Sequence, residues 1–88
     1  MPKTEVQILG QKYLLKGEAS EEHMQALARY VDDKIREVLN GSPGMHPTKA
    51  AILAALEIAD ELYRLRLREQ TLQQEIAQRA SMLAGLLD

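Results

Sequence analysis

The sequence has 88 residues, with 11 basic and 13 acidic side chains, and its formal net charge is −2. A chain this short forms one small domain whose core is marginal without oligomerisation, and its slightly acidic balance disfavours a dedicated nucleic-acid-binding protein. It contains no cysteine, which excludes disulfides, thiolate zinc sites and cysteine nucleophiles.

No targeting or membrane segment is predicted. The N-terminal residues Met1 to Glu5 lack the apolar stretch of a signal peptide. No apolar run approaches the roughly 18 residues that a membrane-spanning helix needs. We therefore expect a cytoplasmic protein.

Residues 4–16 are predicted to form a β-hairpin. Apolar and polar residues alternate on both sides of Gly10-Gln11, and this dipeptide suits a two-residue type II′ turn. Because a lone hairpin is barely stable in water, its apolar face must pack on helices. That face comprises Val6, Ile8, Tyr13 and Leu15. The turn predicts four opposing pairs: Leu9–Lys12, Ile8–Tyr13, Val6–Leu15 and Glu5–Lys16.

Residues 20–40 are predicted to form an amphipathic helix. Ser20 is the candidate N-cap, and acidic residues follow it where the helix dipole is positive. Asn40-Gly41 ends the helix, and residues 41–47 form a turn-rich loop. The apolar stripe has helical spacing and comprises Met24, Leu27, Ala28, Val31, Ile35, Val38 and Leu39.

A second helix is predicted over Thr48 to Leu87, with Thr48 as its cap; at about 1.5 Å per residue it is roughly 60 Å long. Its first turns are apolar nearly all round, which predicts burial against the hairpin and the first helix. The fold class is therefore α+β. It is divided into a globular head over residues 1–61, which includes the buried helix start at 48–61, and a coiled-coil tail over residues 62–88.

Apolar residues in the second helix continue at alternating steps of four and three, the pattern of a helix that pairs with another helix. We call this row the heptad seam: Ile58, Leu62, Leu65, Glu69, Leu72, Ile76, Arg79, Leu83 and Leu86. With Ile52 and Leu56 in the preceding turns, the heptad seam is predicted to form the oligomer contacts of a dimer or tetramer.

The two charged seam residues distinguish two directions of pairing. In an antiparallel pair centred on Gln74, Glu69 faces Arg79 and every apolar seam residue from Leu62 onward faces another. A parallel pair would place like charges together. We favour the antiparallel pair, and a parallel dimer that keeps its charged residues near solvent remains the alternative.

Four ion pairs are predicted from spacings of four residues along helices. Each contributes only a few tenths of a kcal/mol. They are Arg29–Asp33, Asp32–Arg36, Asp60–Arg64 and Glu75–Arg79.

No residue set predicts a catalytic, metal or cofactor site. His23 and His46 are far apart and belong to no metal-ligand motif, while Asp32-Asp33 lacks an accompanying nucleophile. The glycines form no phosphate-binding pattern. The basic cluster within Arg64–Arg68 has acidic neighbours, so we interpret it as a solvated helix surface, with nucleic-acid binding as the weaker alternative.

Three blocks of the sequence resemble ZapA, a family of Z-ring-associated bacterial cell-division proteins. Their order and spacing match the family over essentially the full chain, and the third block is the most specific. The blocks are Ile8–Tyr13 (ILGQKY), Tyr30–Ile35 (YVDDKI) and Ala51–Leu62 (AILAALEIADEL).

The resemblance implies a cytoplasmic protein at the mid-cell division site, without enzymatic activity or cofactor. Members of the family bind the tubulin-like protein FtsZ, form dimers and tetramers, and cross-link FtsZ protofilaments into bundles. A generic coiled-coil scaffold with a different client protein is the alternative function.

The resemblance also implies a set of FtsZ-binding residues on charged and polar positions of the predicted head. These are Gln11, Lys12, Leu14, Lys34 and Lys49. The chain departs from the family pattern at some of them: some members carry Arg at the positions of Gln11 and Leu14, and an acidic residue at that of Lys49. Glu57 stands where Asn is common.

Overall fold

The structure, a computed structural model, describes residues 3–86. It confirms the α+β fold: an antiparallel hairpin precedes two helices, of which the second is long. The elements are β1 (Lys3–Ile8), β2 (Gln11–Lys16), α1 (Glu21–Gly41) and α2 (Pro47–Gly85). Residues 1, 2, 87 and 88, which the predicted head and tail include, lie outside the described range, as does the predicted helix end at Leu87.

The hairpin turn lies one residue earlier than predicted. Its two central residues are Leu9 and Gly10, with φ of 52° and 77°. Positive φ at both positions is the signature of a type I′ turn, so the predicted type II′ turn at Gly10-Gln11 is wrong. The predicted pairs are wrong with it, since the observed ones include Ile8↔Gln11, Val6↔Tyr13, Glu5↔Leu14 and Thr4↔Leu15.

The apolar face of the hairpin survives this change of register. Each residue of β1 faces a partner two positions away from the predicted one, and residues two apart on a strand share a face. Val6 is almost fully buried, while Ile8 and Leu15 are half-buried and Tyr13 is exposed. The prediction of which residues share a face is therefore confirmed.

Helix α1 begins as predicted. The Ser20 hydroxyl oxygen accepts a 3.1 Å hydrogen bond from the backbone N–H of His23, which satisfies a donor that the first helical turn leaves free. The helix ends at Gly41, where the N–H of Ser42 donates back to the carbonyls of Val38 and Leu39.

Helix α2 begins at Pro47, so the predicted cap at Thr48 is wrong. Proline suits the first helical position because its missing N–H would have no partner there. His46 precedes the helix, and its Nδ1 accepts a 3.1 Å hydrogen bond from the N–H of Thr48. The imidazole of His46 thus takes the capping role that was predicted for the Thr48 hydroxyl.

The core lies where α1 and the first turns of α2 meet the hairpin turn. Ile35, Ala50 and Ala54 are buried at its centre, and the two small alanines leave room for α1 to approach closely. Partly buried residues surround them: Ile8, Leu9, Val31, Val38, Leu39, Met45 and Ala51.

Burial of the first α2 turns is confined to one side of the helix in the single chain. Ala50 and Ala54 are buried, whereas Ile52 is 58% and Leu56 is 62% exposed. In the single chain, one side of the first α2 turns packs on the core, and the remaining apolar surface, which includes the predicted oligomer contacts Ile52 and Leu56, faces solvent.

Two compact units divide the chain, Met1–Ile58 and Ala59–Asp88. In the second unit, every described residue from Leu62 to Leu86 is exposed. Within residues 3–86, no helix combines the length and the apolar character needed to cross a membrane.

Two of the four predicted ion pairs form. Arg36 to Asp32 and Arg64 to Asp60 each join Nε and Oδ2 over 3.0 Å. Among residues 3–86, neither Arg29–Asp33 nor Glu75–Arg79 forms an ion pair.

Candidate protein-interaction surfaces

Helix α1 closes the outer edge of strand β1 with two side chains. Gln25 Nε2 donates a 2.7 Å hydrogen bond to the carbonyl oxygen of Glu5. Asp32 Oδ1 accepts a 2.7 Å hydrogen bond from the N–H of Leu9 at the turn. Because an open strand edge leaves its backbone groups without protein partners, these two bonds attach the hairpin to α1 at the middle of β1 and at the turn that follows it.

Each carboxylate oxygen of Asp32 accepts a hydrogen bond from a group that favours the charged form. Besides the Leu9 N–H at Oδ1, its Oδ2 accepts a 3.0 Å hydrogen bond from Arg36 Nε. The Leu9 backbone hydrogen bond, followed by the Arg36 hydrogen bond, lowers the pKa of Asp32 below its ordinary value of 3.8. The carboxylate is therefore a fixed anion at neutral pH.

A groove of about 560 Å³ lies between the outer face of the hairpin and α1. We call it the polar groove. Its floor and walls include Glu5, Lys12, Gln25, Arg29, Asp32 and Arg36. The acidic members are paired, Glu5 with Lys12 at 3.8 Å and Asp32 with Arg36, so the groove is charged, hydrogen-bonding and unsuited to an apolar ligand.

A second groove of about 400 Å³ lies on the core side of the hairpin turn. Apolar side chains of the turn, α1 and the start of α2 form most of it, with Gln11 and Thr48 at its polar positions. The Gln11 amide oxygen accepts a 2.9 Å hydrogen bond from the Tyr13 hydroxyl, which fixes the amide on this side.

The five predicted FtsZ-binding residues do not form one patch. Lys12 and Leu14 lie on the outer face of the hairpin, and Gln11 lies on the opposite face. Lys34 is half-buried on α1, with its Nζ 5.5 Å from the centre of the Tyr30 ring. Lys49 is exposed in the first turn of α2. Of the five, only Lys12 lines the polar groove.

The predicted oligomer contacts are exposed in both units. In the first unit, Ile52 and Leu56 are exposed and Ile58 is half-buried. In the second unit, the remaining seam residues from Leu62 to Leu86 are all exposed, including Glu69 and Arg79. Apolar residues in a continuous row along one helix indicate a surface that another helix covers.

The role of Asp32 as the anchor of the hairpin turn is not among the functions that the sequence predicts. A signal was present, because Asp32 lies four residues after Ala28 and three before Ile35, both of which are buried. Helical periodicity therefore places Asp32 at the margin of the buried face. Its partner, a backbone N–H, has no signature in the side-chain pattern.

These features define the class of the protein. It is a small α+β protein whose long second helix carries a row of exposed apolar residues. Within residues 3–86, no group of three or more His, Asp or Glu could hold a metal ion. The sequence model of one family, described as cell division protein ZapA, matches residues 4–87. The chain belongs to this family, which confirms the resemblance seen in the sequence.

Individual relatives agree with this assignment. The chain is 32% identical over 77 residues to cell division protein ZapA from Bacillus velezensis, covering 88% of this chain and 91% of the relative. It is 41% identical over 76 residues to the protein of the same name from Geobacillus kaustophilus, covering 78% and 84%.

Two solved structures share the fold. A ZapA mutant dimer from Geobacillus stearothermophilus superposes with a TM-score of 0.68 at 33% identity, over 85% of this chain and 87% of that one. An unknown conserved bacterial protein from Pseudomonas aeruginosa gives a TM-score of 0.70 at 28% identity, over 100% and 94%.

Proposed function

We propose that the protein binds FtsZ and cross-links or bundles its protofilaments, and thereby promotes assembly and stability of the Z-ring at the cytoplasmic mid-cell division site. The observation that carries this proposal is the match to the ZapA family over residues 4–87. The role is one of binding, without catalysis or a cofactor.

Two surfaces of the protein have separate roles in this function. The heptad seam, with Ile52 and Leu56, brings copies of the chain together, first as a dimer and then as a tetramer. The first unit provides the FtsZ-binding surface. An assembly of several copies presents that surface more than once, and such multivalency raises avidity and joins filaments without any additional contact per copy.

The FtsZ-binding residues that we propose are Gln11, Lys12, Leu14, Lys34 and Lys49. Leu14 is an exposed apolar side chain on the outer hairpin face, next to Lys12 in the strand. Exposed apolar residues beside charged ones are common in protein interfaces. The five residues lie on different faces, but Lys12 and Leu14 share the outer hairpin face. Substitutions at these two residues therefore test one surface.

Co-sedimentation of FtsZ polymers tests the function. FtsZ is polymerised with GTP at matched salt, with and without the protein, and pelleting and light scattering are measured. We expect more pelleted, bundled polymer with the protein present. Unchanged pelleting and scattering would reject FtsZ cross-linking and leave a scaffold role with a different client protein.

A matched pair of variants separates binding from bundling. Ile76→Asp places an unpaired charge in the heptad seam, where burial of a charge is costly, so it should abolish bundling. Gln74→Asp adds the same charge on the opposite side of the helix and should leave bundling intact. Equal bundling by both variants would exclude a role for the heptad seam in cross-linking.

A further inference from the structure

The polar groove concentrates positive charge on a chain that is acidic as a whole. Lys12, Arg29 and Arg36 line it together with only two acidic residues, Glu5 and Asp32, whereas the full chain carries a net charge of −2. The lining thus carries one net positive charge, with Glu21 and Glu22 beside Arg29 around an adjoining pocket, and a positive lining favours an anionic partner.

Of the basic residues that line the polar groove, Arg29 is the one without an ion-pair partner within residues 3–86. Lys12 pairs with Glu5, and Arg36 pairs with Asp32, but Arg29 takes part in none of the ion pairs formed among residues 3–86. Its predicted partner, Asp33, does not reach it. Arg29 is exposed and lines the polar groove, so its guanidinium donors remain free for a ligand carboxylate.

The outer hairpin face extends this basic surface beyond the polar groove. Alternate residues of a strand share a face, so Lys12 has Lys16 on its side of β2, and the register places Lys3 opposite Lys16. Both of these lysines are exposed. A partner that follows the groove would therefore meet basic residues along the length of the hairpin.

The walls of the polar groove are fixed before any partner binds. Gln25 holds the Glu5 carbonyl, and Asp32 holds the Leu9 N–H, each at 2.7 Å. A groove that is already formed avoids the entropic cost of ordering its walls on binding.

We propose that the polar groove is the docking site for an acidic, extended segment of the protein partner, with Arg29 as the main carboxylate-binding residue and Lys12 and Arg36 beside it. The proposal extends the function described above and rests on it for the identity of the partner. An acidic peptide fits better than nucleic acid because none of the side chains that line the groove is aromatic, so the groove offers bases no stacking surface.

The direct test is a titration of the ¹⁵N-labelled full chain with an oligo-glutamate peptide at low salt, followed by NMR. We expect amide shifts at the groove residues of α1 and the hairpin. Arg29→Glu should weaken binding by about tenfold, and Arg29→Gln should weaken it less. Arg64→Glu, the same charge change on α2, should bind like the native chain.

Several outcomes of this titration would overturn the proposal. They are the absence of shifts, shifts spread equally over all basic residues, equal binding by the Arg29→Glu and Arg64→Glu variants, and a single-stranded oligonucleotide that shifts the same residues more strongly than the peptide. Arg29 makes no ion pair within residues 3–86, so its substitution should leave the circular dichroism spectrum unchanged.

FtsZ pelleting separates this proposal from the function on which it rests. If the native chain bundles FtsZ, Arg29→Glu should lose that activity while Arg64→Glu keeps it, and bundling by both would overturn the docking site. If the native chain does not bundle FtsZ, the proposed function is rejected, and the peptide titration decides on the polar groove alone.

Discussion

The backbone N–H of Leu9 donates a 2.7 Å hydrogen bond to Asp32 Oδ1, joining residues 23 positions apart. Leu9 has a φ of 52°, a conformation that costs a side-chain-bearing residue roughly 1–2 kcal/mol. The hydrogen bond and the packing of the Leu9 side chain on the core offset this cost. The type I′ turn of the hairpin therefore depends on a residue of α1.

Asp32→Ala should lower the free energy of unfolding by about 1–3 kcal/mol, because it leaves the half-buried Leu9 N–H without its acceptor. Asp33→Ala is the matched control, since Asp33 is exposed and lies next to Asp32 on the same helix. The measurement is urea unfolding at equal protein concentration, as association affects apparent stability. Equal destabilisation by the two variants would show that the Leu9–Asp32 bond contributes little.

The same carboxylate predicts a dependence of stability on pH. The folded state lowers the pKa of Asp32 below 3.8, through its bonds to Leu9 and then Arg36. The stabilising contribution is therefore complete above that ordinary value, and it is lost as the pH falls through the lower folded value. The difference in unfolding free energy between the native chain and Asp32→Ala should narrow on acidification in this range. If this difference in unfolding free energy stayed constant down to the lowest pH at which the protein folds, the lowered pKa of Asp32 would be contradicted.

Gly10 is required for its backbone conformation rather than for space. Its φ is +77°, and an added Cβ would have no neighbour within 4 Å. Gly10→Ala should therefore cost about 1–2 kcal/mol through φ alone. Gly41→Ala is the control, because its Cβ also meets nothing within 4 Å and its φ is not positive. It should be neutral or slightly stabilising through helix propensity. Thermal unfolding measures the Tm of both variants. Similar shifts in Tm would contradict the claim that Gly10 is required for its positive φ.

The helices could be predicted from the sequence because their signals are local. The apolar spacing of α1 and its Ser20 cap are properties of neighbouring residues, as is the length of α2. The cap of α2 lies two residues before the predicted one because Pro47 occupies the first helical position, and the cap is the side chain of His46.

The hairpin register and the polar groove could not be predicted for a different reason. A glycine at the first turn position usually indicates a type II′ turn, and only the tertiary contacts of Leu9 explain a leucine at positive φ. The polar groove exists because α1 lies along the edge of β1. Nothing in the side-chain pattern of either element specifies that arrangement, so the sequence gives no sign that Lys12, which only the family resemblance singles out, and Arg29 line the same groove.

The charges in the heptad seam predict the direction of helix pairing. In an antiparallel pair centred on Gln74, Glu69 of one copy faces Arg79 of the other, so Glu69→Arg alone should create a repulsion and weaken assembly. The double variant Glu69→Arg with Arg79→Glu exchanges the two charges and should restore it. In a parallel pair, the double variant still places like charges opposite each other, so it should assemble no more strongly than the native chain. Sedimentation equilibrium over a range of protein concentrations measures these differences, and a single variant that assembles like the native chain would refute the antiparallel register.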